Sequence, residues 1–168
     1  MANVLYCRNG HFNGFVPEPD PRYRYLGAFH DWQERKLREE LARLAFCPKC
    51  GVDNINVCLH CEITIEGNEE CSSERPSYCC ACGKPFPWTE IALTCAREYT
   101  DELEELTAEE KEALKATFDD LTVETARTGL AVSRFQKLLR KISPGVGDTL
   151  KKIITDVAVE AVRKSMGV

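Results

Sequence analysis

Cys47-Pro-Lys-Cys50 opens the stretch of sequence that decides the fold, and Cys58-Leu-His-Cys61 and Cys79-Cys-Ala-Cys82 follow it. Each Cys-x-x-Cys pair offers two thiols from one tight turn, and two pairs supply the four soft donors of tetrahedral zinc. A fourth half-site, Cys7-Arg-Asn-Gly-His11, lies upstream. Four half-sites predict two Zn²⁺ ions in each chain, so that metal rather than a large apolar core organises this part of the protein.

The spacing groups the half-sites into two closed sites. The predicted ligands are Cys58, Cys61, Cys79 and Cys82 in a four-cysteine site, and Cys7, His11, Cys47 and Cys50 in a site of mixed donors. The first set has the spacing of a zinc ribbon. Four protein ligands leave no position for the water that a catalytic zinc keeps. The sequence therefore predicts structural metal sites, without catalytic or other cofactor-binding residues.

Some assignments around these sites stay open. Cys80 adjoins Cys79 and is its alternative as a ligand in a shifted register. Cys95 falls on the apolar face of a predicted helix, where a free thiol packs as a small apolar group. Cys71 lies in a polar loop as the candidate free thiol, and the alternative for His11 is a surface histidine near the metal.

The number of cysteines bears on the cellular compartment. Ten cysteines would also permit a disulfide framework. The Cys-x-x-Cys spacing, and an amino terminus without the basic and apolar segments of a signal peptide, favour metal binding in a reducing compartment. No apolar run approaches the ~20 residues of a membrane-spanning helix. We therefore expect a cytoplasmic protein without an integral membrane segment.

The composition of the chain changes near Pro87. Residues 1–87 contain the predicted ligands and short strand-like runs, and they form the predicted double zinc-ribbon region. Within them, an inserted helix at about residues 28–46 has Leu37, Leu41 and Leu44 at helical spacing. The insertion separates the first half-site from the second.

Residues 88–168 have helical periodicity throughout. The first helix begins near Trp88, and the second begins at a capping box, Thr107-Ala-Glu-Glu110. A third covers about residues 124–142, and the last runs from about residue 148 to residue 166. The predicted fold class is therefore α+β: a double zinc ribbon with an inserted helix, followed by a helical bundle of three to four helices.

Charge is unevenly distributed along the helical half. Residues 98–120 hold ten acidic side chains, whereas residues 134–168 hold eight basic ones. These runs are either solvated helix faces or complementary segments that pair within one bundle or between protomers. The formal net charge of -5 disfavours a general affinity for nucleic-acid phosphates, which require clustered Lys and Arg.

The quoted motifs resemble a known family. Tyr6-Cys-Arg-Asn-Gly-His11, Phe46-Cys-Pro-Lys-Cys-Gly51, Tyr78-Cys-Cys-Ala-Cys-Gly-Lys-Pro-Phe-Pro-Trp-Thr-Glu90 and Thr128-Gly-Leu-Ala-Val-Ser-Arg-Phe-Gln-Lys-Leu-Leu139 are similar to a bacterial family of small zinc-ribbon proteins, catalogued as a domain of unknown function (2321). The resemblance implies the same eight ligands and no activity. This sequence departs from the family in its inserted helix and in a shorter, acidic loop between Cys61 and Cys79.

Three classes of function follow as expectations. The sequence has no Gly-rich phosphate loop, no His-Glu-x-x-His and no nucleophile elbow, so we expect no enzyme. The preferred hypothesis is an adaptor or assembly protein with a protein partner or with itself as partner. The alternatives are a nucleic-acid-binding or regulatory zinc ribbon, and peripheral membrane contact through the last helix, where Lys151, Lys152, Arg163 and Lys164 flank an apolar face.

Overall fold

The computed structural model describes residues 2–17, 27–67 and 75–167. Its residues divide into two compact units, Met1–Pro87 and Trp88–Val168. The described residues are mixed α and β, as predicted, with six helices and a small antiparallel sheet. Cys71 lies outside these residues, so its role stays a prediction.

The sheet of the first unit is built around its first strand. Strand β1 (Ala2–Cys7) pairs antiparallel with β2 (Phe12–Phe15), β3 (Asn54–Ile55) and β4 (Glu66–Gly67). Val4, Leu5 and Tyr6 are all buried, which a strand with neighbours on both edges and cover on both faces requires. Because Cys7 pairs with Asn54 in this register, the end of β1 lies close to the second half-site.

Helix α1 is the inserted helix, and it covers Gly27–Arg43. It ends three residues earlier than predicted, because the backbone tightens after Arg43 and the N–H of Ala45 donates to the carbonyl of Ala42. Its leucine stripe does not form a buried core: Leu37 and Leu44 are half-buried, and Leu41 is exposed.

The described residues of the second unit form five helices, not the three to four predicted. They are α2 (Pro87–Asp101), α3 (Ala108–Thr122), α4 (Thr128–Leu139), α5 (Pro144–Val157) and α6 (Glu160–Met166). The predicted last helix is divided at Ala158 and Val159, which are extended. The N–H of Val159 donates to the carbonyl of Leu121 at 3.2 Å, so a backbone contact with α3, distant in sequence, accompanies the break.

The helices share one apolar core. Phe118 of α3 and Phe135 of α4 are fully buried and meet edge to face, with ring centroids 6.2 Å apart. The prediction that Cys95 packs in this core is wrong, since Cys95 is exposed. The buried stripe of α2 instead includes Thr89 and Thr100, and the Thr100 hydroxyl satisfies itself by donating to a backbone carbonyl.

Helix α3 begins at the predicted capping box. The N–H of Glu110 donates to the Thr107 hydroxyl, and the N–H of Thr107 donates to the Glu110 carboxylate. The second oxygen of Glu110 pairs with Lys141, beyond α4. Arg127 pairs with Asp120 at the opposite end of the two helices, so α3 and α4 run antiparallel.

No helix in the described ranges is both long and apolar enough to cross a bilayer.

Candidate metal centres

The three Cys-x-x-Cys pairs are three copies of one hairpin. In each, the N–H of the first cysteine donates to the carbonyl five residues later, and the N–H four residues later donates back to the first cysteine. At Cys47 these bonds join Cys47 N to Val52 O and Gly51 N to Cys47 O, each at 2.8 Å. The bonds at Cys58 and Cys79 have the same pattern at 2.8 and 2.9 Å. The sequence spacing therefore encodes a local backbone geometry that presents both thiols on one side.

The turn closes only if the residue after the second cysteine has a positive φ. That residue is Gly51 (φ 70), Glu62 (φ 59) and Gly83 (φ 69) in the three hairpins. Glycine adopts this left-handed conformation without steric cost. Among the described residues, Glu62 is the one non-glycine residue with a positive φ. It occupies the position that glycine has in the other two hairpins.

The half-site of Cys7 and His11 is a tighter turn. The N–H of Gly10 (φ 80) donates to the Cys7 carbonyl at 2.7 Å, and the N–H of Cys7 donates to the His11 carbonyl at 3.0 Å. The guanidinium of Arg75 covers this turn and donates to the Gly10 carbonyl at 3.0 Å. A Cβ at Gly10 would displace the flexible Arg75 side chain, and the positive φ of Gly10 favours glycine at this position.

The structure brings the four predicted ligands of mixed type together, and we call this group the mixed-donor cluster. Its donor atoms, from Cys7, His11, Cys47 and Cys50, all lie within 4.8 Å of one another. His11 Nδ1 is 3.4 Å from the sulfur of Cys7 and 3.6 Å from that of Cys47. Cys7 and Cys47 are buried, His11 is half-buried and Cys50 is exposed.

The second group, the four-cysteine cluster, contains Cys58, Cys61, Cys79 and Cys82. Its Sγ–Sγ distances include 3.7 Å from Cys58 to Cys82 and 3.7 Å from Cys61 to Cys79. The first cysteine of each hairpin is buried and the second is exposed. Cys79 is therefore the residue in the cluster, whereas its neighbour Cys80 is exposed and outside it.

These distances fit a tetrahedral ion. Metal–sulfur bonds of about 2.3 Å give sulfur–sulfur edges of about 3.8 Å in a tetrahedron, close to the 3.7 Å between sulfurs here. A disulfide needs sulfurs about 2.05 Å apart, so the cysteines are free thiols in this arrangement. Both clusters could hold metal ions, and each would do so with four protein donors.

A hydrogen-bonded pair of asparagines lies behind the mixed-donor cluster, and no pattern in the sequence points to it. Asn13 Oδ1 is 3.6 Å from the sulfur of Cys47, and Asn13 Nδ2 donates to Asn54 Oδ1 at 2.7 Å. Asn54 in turn donates to the carbonyl of Leu44 at 2.7 Å. The pair ties β2 and β3 to the chain that enters Cys47, and it fixes the orientation of a ligand.

One thiol in the mixed-donor cluster ionises readily. Burial raises the pKa of Cys47, but the hydrogen bond with Asn13 and the backbone N–H groups of Lys49 and Cys50 outweigh burial and lower the pKa to about 6. Burial raises the pKa of Cys7. The lowered pKa favours the thiolate form of Cys47, the form that binds a metal cation.

The four-cysteine cluster has the same asymmetry. The backbone N–H groups of Cys82 and Ala81 lower the pKa of Cys79 to about 6. The N–H of Ile63 lowers the pKa of Cys61, yet burial and the neighbouring thiols outweigh it and raise that pKa to about 12. Each cluster thus contains one cysteine whose pKa is lowered to about 6, Cys47 or Cys79, and at least one whose pKa is raised.

Comparison with known proteins supports the resemblance noted above. A family model described as an uncharacterized protein conserved in bacteria, DUF2321, matches residues 33–166. The match includes the three Cys-x-x-Cys hairpins but not Cys7 or His11, and it begins within α1, the helix that the resemblance treats as an insertion. The chain has no detectable similarity to a curated protein or to a solved structure.

Proposed function

This chain belongs to the DUF2321 family, and we propose that it is a non-enzymatic adaptor or assembly protein whose first unit is a double zinc ribbon. The ions are Zn²⁺, two for each chain, because four cysteines, or three cysteines with one histidine, are the donor sets of closed structural zinc sites. Binding of structural zinc contributes about 10–16 kcal/mol in small domains. Two such ions would supplement the small apolar core that the described residues of this unit form, which includes Val4, Leu5 and Tyr6 of β1.

The observation that carries the proposal is the exposure of apolar side chains next to the ligands. Phe46, beside Cys47, is 64% exposed. Leu59, between Cys58 and Cys61, and Ile63, just after them, are each 47% exposed. A closed metal site holds these side chains rigidly, so little conformational entropy is lost when a partner covers them. Rigid apolar side chains on a protein surface are typical of protein–protein interfaces.

Partner capture tests this role. The triple variant Phe46→Ser, Leu59→Ser and Ile63→Ser leaves every ligand in place, and Leu41→Ser, at an exposed apolar residue of α1, is the matched control. We expect the zinc-loaded protein and the control to retain the same partner from the native host, and the triple variant to lose it. Retention by the triple variant at wild-type level would contradict the proposal.

Elemental analysis tests the zinc sites separately. Protein purified without chelator is expected to contain two Zn²⁺ ions per chain. Clearly fewer ions, or a different metal in stoichiometric amount, would refute the structural role assigned to zinc.

The two alternatives predict different partners. Nucleic-acid binding would use the bases of α4, and a mobility-shift assay at low salt would detect it with a steep salt dependence. Membrane contact through the last helix is less favoured, because Leu150, Ile154, Val162 and Met166 of α5 and α6 are buried in the core and so cannot enter a bilayer interface without unfolding.

A further inference from the structure

Two exposed stripes on the helical unit have matching patterns of opposite charge. The α2 stripe consists of Ile91, Cys95 and Glu98, with Glu102 just after the helix, and the α4 stripe consists of Leu130, Arg134 and Lys137, with Arg140 just after the helix; every one of these residues is exposed. Ile91 and Leu130, each 50% exposed, are the exposed large hydrophobic residues in the described part of this unit.

The two stripes have the same spacing from the apolar residue to one charged residue. In each stripe the apolar residue comes first, and the residue seven positions later is Glu98 in α2 and Lys137 in α4. About one turn further, Glu102 and Arg140 follow the helix ends at nearly the same distance, and Cys95 occupies the position in α2 that Arg134 has in α4. Residues seven apart lie on one face of a helix, so two such helices placed side by side and parallel bring the apolar residues together and pair each acid with a base.

Within the part of the helical unit that the structure describes, Arg134, Lys137 and Arg140 of the α4 stripe make no ion pair. Ion pairs between α3 and α4 close both ends of the groove between these helices, Arg127 with Asp120 and Lys141 with Glu110. Between those ends, α3 supplies Ala113 and Ala116 to the groove that Arg134 and Lys137 line. Small apolar residues therefore stand where further acids would have completed the ladder of pairs.

The acids of the α2 stripe are similarly unengaged. Arg97 of α2 pairs with Asp119, and Asp101 pairs with Lys115, which ties the other side of α2 to α3. Among the described residues, Glu98 and Glu102 have no ion-pair partner, and neither do Lys137 and Arg140. Both stripes thus expose charge that the unit leaves uncompensated.

We propose that the α2 stripe of one copy packs against the α4 stripe of a second copy, so that this protein assembles with itself through its helical unit. The inference names one partner for the assembly role proposed above and rests on that role. Exposed ion pairs contribute little individually, and the apolar anchors are two side chains per contact. The association is therefore weak, concentration-dependent and sensitive to salt.

Charge reversal tests the contact. The acid variant, Lys137→Glu with Arg140→Glu, makes both stripes acidic, and the base variant, Glu98→Lys with Glu102→Lys, makes both basic. Sedimentation velocity of the zinc-loaded full chain should show self-association for the wild type, with the constant reduced at least about tenfold in either variant. An equimolar mixture of the two variants should associate again, because each stripe then meets one of opposite charge.

The controls separate the possible outcomes. Circular dichroism and zinc content must match the wild type in both variants, whose changed residues are all exposed. A wild type that is monomeric at every concentration, variants that associate normally, or a mixture that fails to associate would each overturn the proposal. Flotation with vesicles of phosphatidylcholine and phosphatidylserine completes the test: if monomeric wild type floats and the acid variant does not, the α4 stripe binds membrane instead.

The sedimentation experiment and the partner-capture experiment test different surfaces of the protein. The triple variant of Phe46, Leu59 and Ile63 is expected to self-associate normally, since it changes only the first unit. If the triple variant loses the captured partner but still self-associates, the two surfaces act separately, as both proposals require. If only the charge variants lose self-association, the contact lies on the helical unit.

Discussion

At the scale of single residues, Glu62 has a backbone conformation that glycine holds in the two equivalent hairpins. A left-handed conformation destabilises the folded state by about 1–2 kcal/mol for an L-residue. Glycine avoids that strain, but its greater freedom in the unfolded chain lowers stability by about 0.5–1 kcal/mol. We therefore expect Glu62→Gly to raise the free energy of unfolding of the zinc-loaded protein by up to about 1 kcal/mol. Urea unfolding measures the change.

Gly83→Ala is the matched reverse substitution. Gly83 has φ 69, and no atom lies within 4 Å of the position its Cβ would occupy, so backbone strain alone determines the effect. The substitution should lower the free energy of unfolding by about 1 kcal/mol. If both substitutions leave stability unchanged, the positive φ does not constrain these turns.

Asn13 gives a second prediction at this scale. Asn13→Ala removes the contacts with Cys47 and Asn54 that orient one ligand, and partners of this kind typically change metal affinity about 10–100-fold. The mixed-donor cluster should therefore release zinc to a chromophoric chelator at lower chelator concentration, while the four-cysteine cluster, which Asn13 does not contact, retains its affinity. Equal weakening of both sites would indicate general destabilisation instead.

The eight clustered residues and Asn13 show what a sequence can predict about such a site. The Cys-x-x-Cys spacing encodes a local turn, so the ligand sets that the structure brings together could be identified without coordinates. Asn13 contacts Cys47 only because β1 pairs with both β2 and β3. No local pattern carries that information, and asparagine is common in loops for other reasons.

At the scale of elements, the start of α3 couples a capping box to an ion pair between helices. Hydrogen bonds from Lys141 and from the Thr107 N–H lower the pKa of Glu110. A depressed pKa in the folded state means that this carboxylate stabilises the fold above its ordinary pKa, and that the contribution is lost as pH falls through the folded value. Lys141→Met should raise the pKa of Glu110 toward its ordinary value.

Carboxyl resonances followed by NMR as pH falls would measure that pKa. Lys164→Met is the control, because Lys164 pairs with Glu160 and lowers the pKa of that residue instead. A Glu110 pKa that moves equally in both variants would show that the pair with Lys141 does not determine it.

The helices of the second unit also show where the spacing of apolar residues does not predict helix bounds and buried faces. The capping box at Thr107 is a local signal and marks the start of α3 correctly. The break between α5 and α6 coincides with the backbone contact between Val159 and Leu121, and no glycine or proline marks it in the sequence. The prediction for Cys95 fails because Thr89 and Thr100 are buried in α2 although threonine is polar. A face chosen by apolar residues alone is therefore displaced by one residue from the face that is buried, and Cys95 is exposed.

At the scale of the whole molecule, the distribution of charge is partly explained by pairing within the helical unit. The pair of Lys141 with Glu110 joins the basic segment to the acidic one. Arg97 and Arg127, which lie outside both segments, neutralise Asp119 and Asp120 of the acidic segment. The sequence could not decide between pairing within one bundle and pairing between protomers, because both satisfy the same charge pattern. Only the positions of the helices in the structure show which charged side chains remain without an ion pair among the described residues.

The proposed zinc sites would give the two units different sources of stability, and removal of metal should therefore destabilise one unit without the other. Buried side chains from all five helices form the core of the second unit, whereas in the first unit four of the buried apolar residues are cysteines of the two clusters. Excess chelator should therefore unfold the metal-binding unit while most of the helical circular dichroism persists, since α2 to α6 contain no cluster ligand. Limited proteolysis of the chelated protein should cut rapidly within residues 27–67 and leave residues 88–167 protected, with re-addition of Zn²⁺ restoring resistance. Simultaneous loss of protection in both units would show that the helical core depends on the metal sites, because a core that is stable by itself has no reason to open when zinc leaves.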